Sequence, residues 1–186
     1  MTDTSRTTAP APSRGPVAVL IGPMGSGKTT VGRALARLLG VPFADSDAAI
    51  VEADGRTIPV IFEQDGETGF RTVEQRVIAR LLTDHRGVLA LGGGAVTTGA
   101  TREALTGHTV ILLDVDEDAV GPRIGTGEGR PLLAGGPDPL AAWRERTASR
   151  APLFAACATH TVDTTGRTPD QIARTIADIT GTKEQP

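Results

Sequence analysis

"GPMGSGKTT", residues 22–30, decides how this chain of 186 residues is read. Gly22, Gly27, Lys28 and Thr29 stand at the spacing G-x-x-x-x-G-K-[ST]. The apolar run Val17-Ala18-Val19-Leu20-Ile21 leads straight into it. Behind it, Val31, Leu35, Leu38 and Leu39 recur at helical spacing up to Gly40. Strand, glycine-rich turn and helix in that order form a phosphate cradle. Glycines let successive N–H groups turn inward around phosphate oxygens, and the helix N-terminus adds favourable potential. In such a loop the lysine reaches the terminal phosphates and the hydroxyl ligates Mg²⁺. Only two lysines stand against 17 arginines, and the other, Lys183, is in the tail. A compact point charge is therefore reserved for position 28. Gly25, Ser26, Gly27, Lys28, Thr29 and Thr30 are the expected nucleotide contacts.

Downstream, strands alternate with helices. Strands are predicted at 41–45, 88–91, 108–115 and 159–164. Helices are predicted at 46–54, 58–66, 67–82, 101–106, 116–124, 139–157 and 169–180. Short apolar strands between helices predict an α/β fold: a five-stranded parallel sheet with helices on both faces and ligands at the strand C-termini. Residues 125–138, "GTGEGRPLLAGGPD", are too glycine-rich for regular structure. Residues 1–15 read as a polar, disordered leader, 16–181 as one domain and 182–186 as a tail.

Composition excludes several classes. A net charge of −3 gives no electrostatic footprint for nucleic acid. No apolar run approaches the length of a membrane span. One cysteine, Cys157, allows no intrachain disulfide and suits a cytoplasmic setting. His85, His108 and His160 have no metal-ligand spacing.

A phosphate cradle names no reaction, so an acceptor site is sought elsewhere. Asp45 and Asp47 close the second strand, and residues two apart on a strand share a face. One suits a magnesium-bound water and the other a hydroxyl proton. The same pair reads equally well as a helix N-cap. Arg71 with Glu74, Arg130 in the glycine-rich loop, and Arg150 before Pro152 are each compatible with a solvated surface charge or an anion fork. Val88-Leu89-Ala90-Leu91 runs into Gly92, Gly93 and Gly94, and three glycines in a row point to something lying close to the backbone. Trp143, Arg150 and Phe154 share one helical face.

Taken together, "GPMGSGKTTVGRALA", "FADSD", "IFEQDGETGFRTVE", "LALGGGAV", "GRPLL" and "SRAPLF" resemble the shikimate kinases in order and spacing, over residues 17 to about 180. The resemblance implies a P-loop kinase with a mobile lid at about 124–138. It implies transfer of phosphate from ATP to the 3-hydroxyl of shikimate, with Mg²⁺, in aromatic amino-acid biosynthesis. Carried onto this chain, Asp47 binds the ring hydroxyls and orients or deprotonates the attacking one. Arg71 and Arg150 grip the carboxylate. Gly93 meets the substrate through its backbone, with Gly92 and Gly94 shaping the turn, and Phe62 and Phe70 form apolar walls. Lys28, Thr29 and, through water, Asp45 manage phosphates and Mg²⁺. Arg130 closes with the lid, Arg123 assists, and Arg167 packs on adenine. The implied partners are shikimate and ATP, with no nucleic acid and no membrane, and the protein is expected to be a monomer. The rivals are a gluconate or nucleoside monophosphate kinase and a non-catalytic nucleotide-binding module.

Overall fold

The computed structural model describes residues 15–124 and 139–181, with side chains for 15–120 and 140–181. Five strands form one sheet: β1 (Ala18–Ile21), β2 (Phe43–Asp45), β3 (Val88–Ala90), β4 (Val110–Asp114) and β5 (His160–Asp163). All pairings are parallel, in the order β2-β3-β1-β4-β5. The helices are α1 (Lys28–Leu39), α2 (Ser46–Asp54), α3 (Ile58–Asp84), α4 (Gly99–Ala104), α5 (Glu117–Ile124), α6 (Pro139–Cys157) and α7 (Pro169–Thr180). A single 3₁₀ turn, Ala95–Thr97, precedes α4.

Strand alternation sorts the core into two layers. Ala18 and Leu20 face α1 and α7, where Leu35, Leu39, Ile172 and Ile176 pack. Val19 and Ile21 face the other side, against Ile78, Leu82, Leu105 and Phe154. All of these side chains are buried. No described helix is long and apolar enough to cross a membrane.

The two helices expected at 58–66 and 67–82 run on as α3, but the division between them is real. Gly66 breaks the helix with φ 68° and ψ −174°, a left-handed backbone that glycine adopts without a Cβ clash. Phe70, Arg71 and Glu74 therefore ride on the straight second half. β2 ends at Asp45, so Asp47 is not a strand residue as expected; it lies in the first turn of α2. The shared direction of the two aspartates comes from a capping turn rather than from strand alternation.

Candidate active site

The neighbouring C-termini of β2, β3 and β1 form the floor of the site. Asp45 pairs with Ala90, Leu91 N–H donates to the Leu20 carbonyl (3.0 Å), and Gly92 N–H donates to Ser46 Oγ (2.9 Å). A cleft of about 520 Å³ opens above them, lined by Lys28, Thr29, Asp45, Asp47, Gly92 and Gly93, among others. The sheet therefore joins the predicted cradle, the acidic pair and the glycine run.

In the cradle, Gly25 and Gly27 take left-handed φ values of 83° and 89°. Gly22 is required by proximity as well, since a Cβ there would lie 2.5 Å from the Leu113 carbonyl oxygen. Lys28 Nζ donates to the carbonyls of Gly22 (2.9 Å) and Pro23 (2.8 Å). Burial pushes its ammonium down to about 8, against the opposing pull of Asp47 and Asp45. Ser26 turns its hydroxyl inward, buried and without a hydrogen-bond partner.

Asp45 caps α2 and also reaches the cradle. Its Oδ1 accepts the Asp47 N–H (3.0 Å) and caps α2, while its Oδ2 accepts the Thr29 hydroxyl (2.8 Å). Asp47 is exposed and lines the cleft. Desolvation by the protein around the cleft first, then the charge of Asp45, pushes its carboxyl above the usual range, with Lys28 and Arg71 opposing.

The glycine run is explained by what lies against it. A Cβ on Gly92 would fall 2.5 Å from Asp47 Oδ1, and one on Gly94 would fall 2.6 Å from the Arg71 guanidinium. A Cβ on Gly93 would reach only ordinary contact, 3.5 Å from Gly22 O and Met24 N of the cradle. None of the three has positive φ. Gly92 and Gly94 also lie in the turn, their carbonyls accepting the N–H groups of Ala95 and Thr97 (both 3.0 Å), and the close approach of Asp47 and Arg71 keeps them small.

Arg71 donates to Glu74 (2.6 Å) and Glu67 (3.1 Å). Its spacing from Glu74 suggests a surface pair, yet Glu74 is only 1% exposed. Burial pushes the Glu74 carboxyl up, and Arg71 draws it back. Beneath Arg71 lies the Phe70 ring, 5.2 Å from the guanidinium carbon. Phe70 stacks on Phe62 with centroids 4.5 Å apart. Phe70 is buried in the α2–α3 core and Phe62 is half-buried against it, so the pair supports Arg71 from below. Arg150 Nη1 donates to the Gly93 carbonyl (3.3 Å). Burial first, then the like charges of Arg71 and Arg146, lower its pKa. Arg167 stands after β5, with its guanidinium donating to the Asp163 and Gln171 carbonyls and to Thr175 Oγ1.

The family model for shikimate kinase matches residues 24–180. The chain belongs to the shikimate kinase family. It is 52% identical to the shikimate kinase of Salinispora tropica over 164 residues, 88% of this chain and 97% of that one. It is 51% identical to that of Mycobacterium avium over 161 residues, 87% of this chain and 91% of that one. Among solved structures, the shikimate kinase of Acinetobacter baumannii in complex with shikimate superposes with a TM-score of 0.84 at 39% identity, covering 90% of this chain and 93% of that one.

Several residues of this shikimate kinase site escape the sequence reading. Ser46, which holds the Gly92 N–H, is marked only by its place between the two aspartates. Glu67 and Glu74 are visible only as helix-spaced charges. Conversely, Arg130 and the lid beyond Ile124 lie outside the described residues, as does the side chain of Arg123.

Proposed function

We propose that this enzyme transfers the γ-phosphoryl group of ATP to the 3-hydroxyl of shikimate, giving shikimate 3-phosphate and ADP. The observation that carries the reading is the order along Gly92–Gly94: Asp47 at one end, Arg71 at the other and Arg150 on the middle carbonyl. The run is a turn, with the Ala95 N–H donating to the Gly92 carbonyl (3.0 Å) and Gly94 at φ −99° and ψ −8°. That arrangement suits a polyhydroxy acid with a hydroxyl toward Asp47 and a carboxylate toward the arginine pair. Guanidinium forks match a carboxylate in two-pronged geometry.

In the proposed step the hydroxyl oxygen bonds to the γ-phosphorus and its proton passes to Asp47. The bond from phosphorus to the β,γ-bridging oxygen breaks, and ADP leaves. A carboxyl raised above its ordinary pKa is a better proton acceptor near neutrality than an ordinary aspartate. Lys28, already in the cradle, faces the charge that gathers on the phosphate oxygens. The Thr29 hydroxyl and Asp45 carboxylate are hard oxygen donors of the kind Mg²⁺ takes. Thr29 would ligate it directly and Asp45 through water. When bound, Mg²⁺ neutralises charge on the β- and γ-phosphates. One free cysteine suits the cytoplasm in which we place the enzyme. Every group named comes from one chain, so we take the monomer as the working unit.

ADP release measured with ATP and Mg²⁺ tests this. Shikimate should raise turnover at least about 10²-fold over no acceptor, and gluconate and nucleoside monophosphates should not. Equal rates with all acceptors, or none with shikimate, would overturn the reading.

A further inference from the structure

The α6 helix touches the cleft at two points seven residues apart. Arg150 reaches the Gly93 carbonyl, and two turns earlier the Trp143 indole N–H donates to the Met24 carbonyl inside the cradle (2.8 Å). Trp143 is 5% exposed and packs with Val115 and Val120. Burying an indole serves the core, but Nε1 aimed at a phosphate-loop carbonyl serves the loop. The Met24–Gly25 peptide is trans, so its C=O and N–H point in opposite directions. Drawing the carbonyl toward α6 fixes the Gly25 N–H away from α6, and Gly25 lines the cleft. The gap between the anchors, bounded by Pro23, Met24, Trp143, Arg150 and Phe154, is about 20 Å³, room for about one water. A shift of α6 has little slack to absorb it.

We propose that Trp143 is a positioning residue that braces the phosphate cradle from α6, so that carboxylate capture by Arg150 and nucleotide capture by the cradle reinforce each other. The brace rests on the nucleotide and acceptor sites proposed above. Shikimate held by Arg150 fixes α6; α6 fixes the Met24–Gly25 peptide; the cradle then meets phosphate already oriented. By linkage, nucleotide strengthens shikimate binding by the same factor.

Calorimetric titration of MgADP, with and without saturating shikimate, tests this on the full chain. In the unaltered protein, shikimate should tighten MgADP. Trp143→Phe keeps a ring in the core and removes the donor. It should weaken MgADP about 3- to 10-fold, as expected for one lost hydrogen bond. The effect of shikimate on MgADP should shrink toward one, with shikimate affinity alone within about twofold. A purely structural Trp143 would lower Tm and leave the coupling factor intact, and that result overturns the brace. Trp143 is the only tryptophan, so in the unaltered protein its indole N–H gives one NMR resonance, a readout that does not depend on the variant folding. That resonance should move with each ligand separately. If it ignores both while the protein turns over shikimate, the brace is wrong. If the unaltered protein binds neither MgADP nor shikimate, it is the proposed function that fails.

Discussion

In the proposed reading the nucleotide half is eight consecutive residues, Gly22–Thr29, whose donors are mostly backbone N–H groups. The proposed acceptor half gathers Asp47, Gly92–Gly94, Arg71 and Arg150 from four places in the chain and relies mostly on side chains. The two halves meet at the seam between β1 and β3, where a Cβ added to Gly93 would reach ordinary contact with Gly22 and Met24. A backbone site depends on few side chains, because the loop conformation sets most of its donors, with Lys28 inside it and Trp143 behind it as the exceptions. A side-chain site depends on every support beneath it: Phe70 under Arg71, Glu74 beside it, Asp45 capping the helix that carries Asp47.

The largest effect should separate the halves cleanly. Asp47→Asn keeps the shape and removes the proton acceptor, so kcat should fall by about 10²-fold or more while MgADP affinity stays within about twofold. Steady-state kinetics with a parallel nucleotide titration measure both. Near-native turnover would reduce Asp47 to a residue of the helix cap. Its raised pKa adds a sign: kcat/KM of the unaltered enzyme should fall as pH drops through a value above 3.8, because the protonated carboxyl accepts nothing.

Smaller effects should follow the glycines in an order set by contact. Gly94→Ala places a methyl 2.6 Å from an Arg71 nitrogen that Glu74 and Glu67 hold in place. Displacing that fork costs about 1.5–3 kcal/mol of charge-assisted bonding, so KM for shikimate should rise about tenfold or more. Gly92→Ala crowds the Asp47 carboxylate and should lower kcat instead. Gly93→Ala meets only the cradle backbone at ordinary distance and should change shikimate KM least. If Gly93→Ala proves the most damaging of the three to shikimate KM, close approach is not what the run is for.

The cradle was legible because its chemistry and its sequence are the same eight residues, and a strand and a helix flank it at recognisable spacing. The parallel sheet was legible for a similar reason: β1, β3 and β4 are short apolar runs set between helices. In the acceptor half, composition and spacing stopped at alternatives. The aspartate pair read equally as cap and as ligand; Asp45 caps α2 with one oxygen and accepts the Thr29 hydroxyl with the other. Arg71 and Glu74 read as a surface pair, since i, i+3 spacing does not reveal which helix face is buried; only Gly94 packed against the guanidinium does. Resemblance to a family supplied those roles, and the fold supplied their neighbours. The Trp143–Met24 contact joins residues 119 apart and left no local mark beyond a helical face shared with Arg150.

The smallest effect concerns protons. Lys28 at about 8 in the folded protein lies below its ordinary 10.5. Between those values the folded chain binds fewer protons than the unfolded one, so unliganded stability should rise with pH from about 8 to 10.5. Phosphate oxygens favour the ammonium form and should draw the pKa back up. MgADP binding at pH 8 should therefore take up about half a proton, falling toward zero a unit or two below. Calorimetry in two buffers of different ionisation heat measures the uptake directly. Shikimate alone should take up less than MgADP, because it brings no phosphate oxygens to the Lys28 ammonium. Uptake with shikimate rather than MgADP would move the titrating group across the seam and break the division between the two halves.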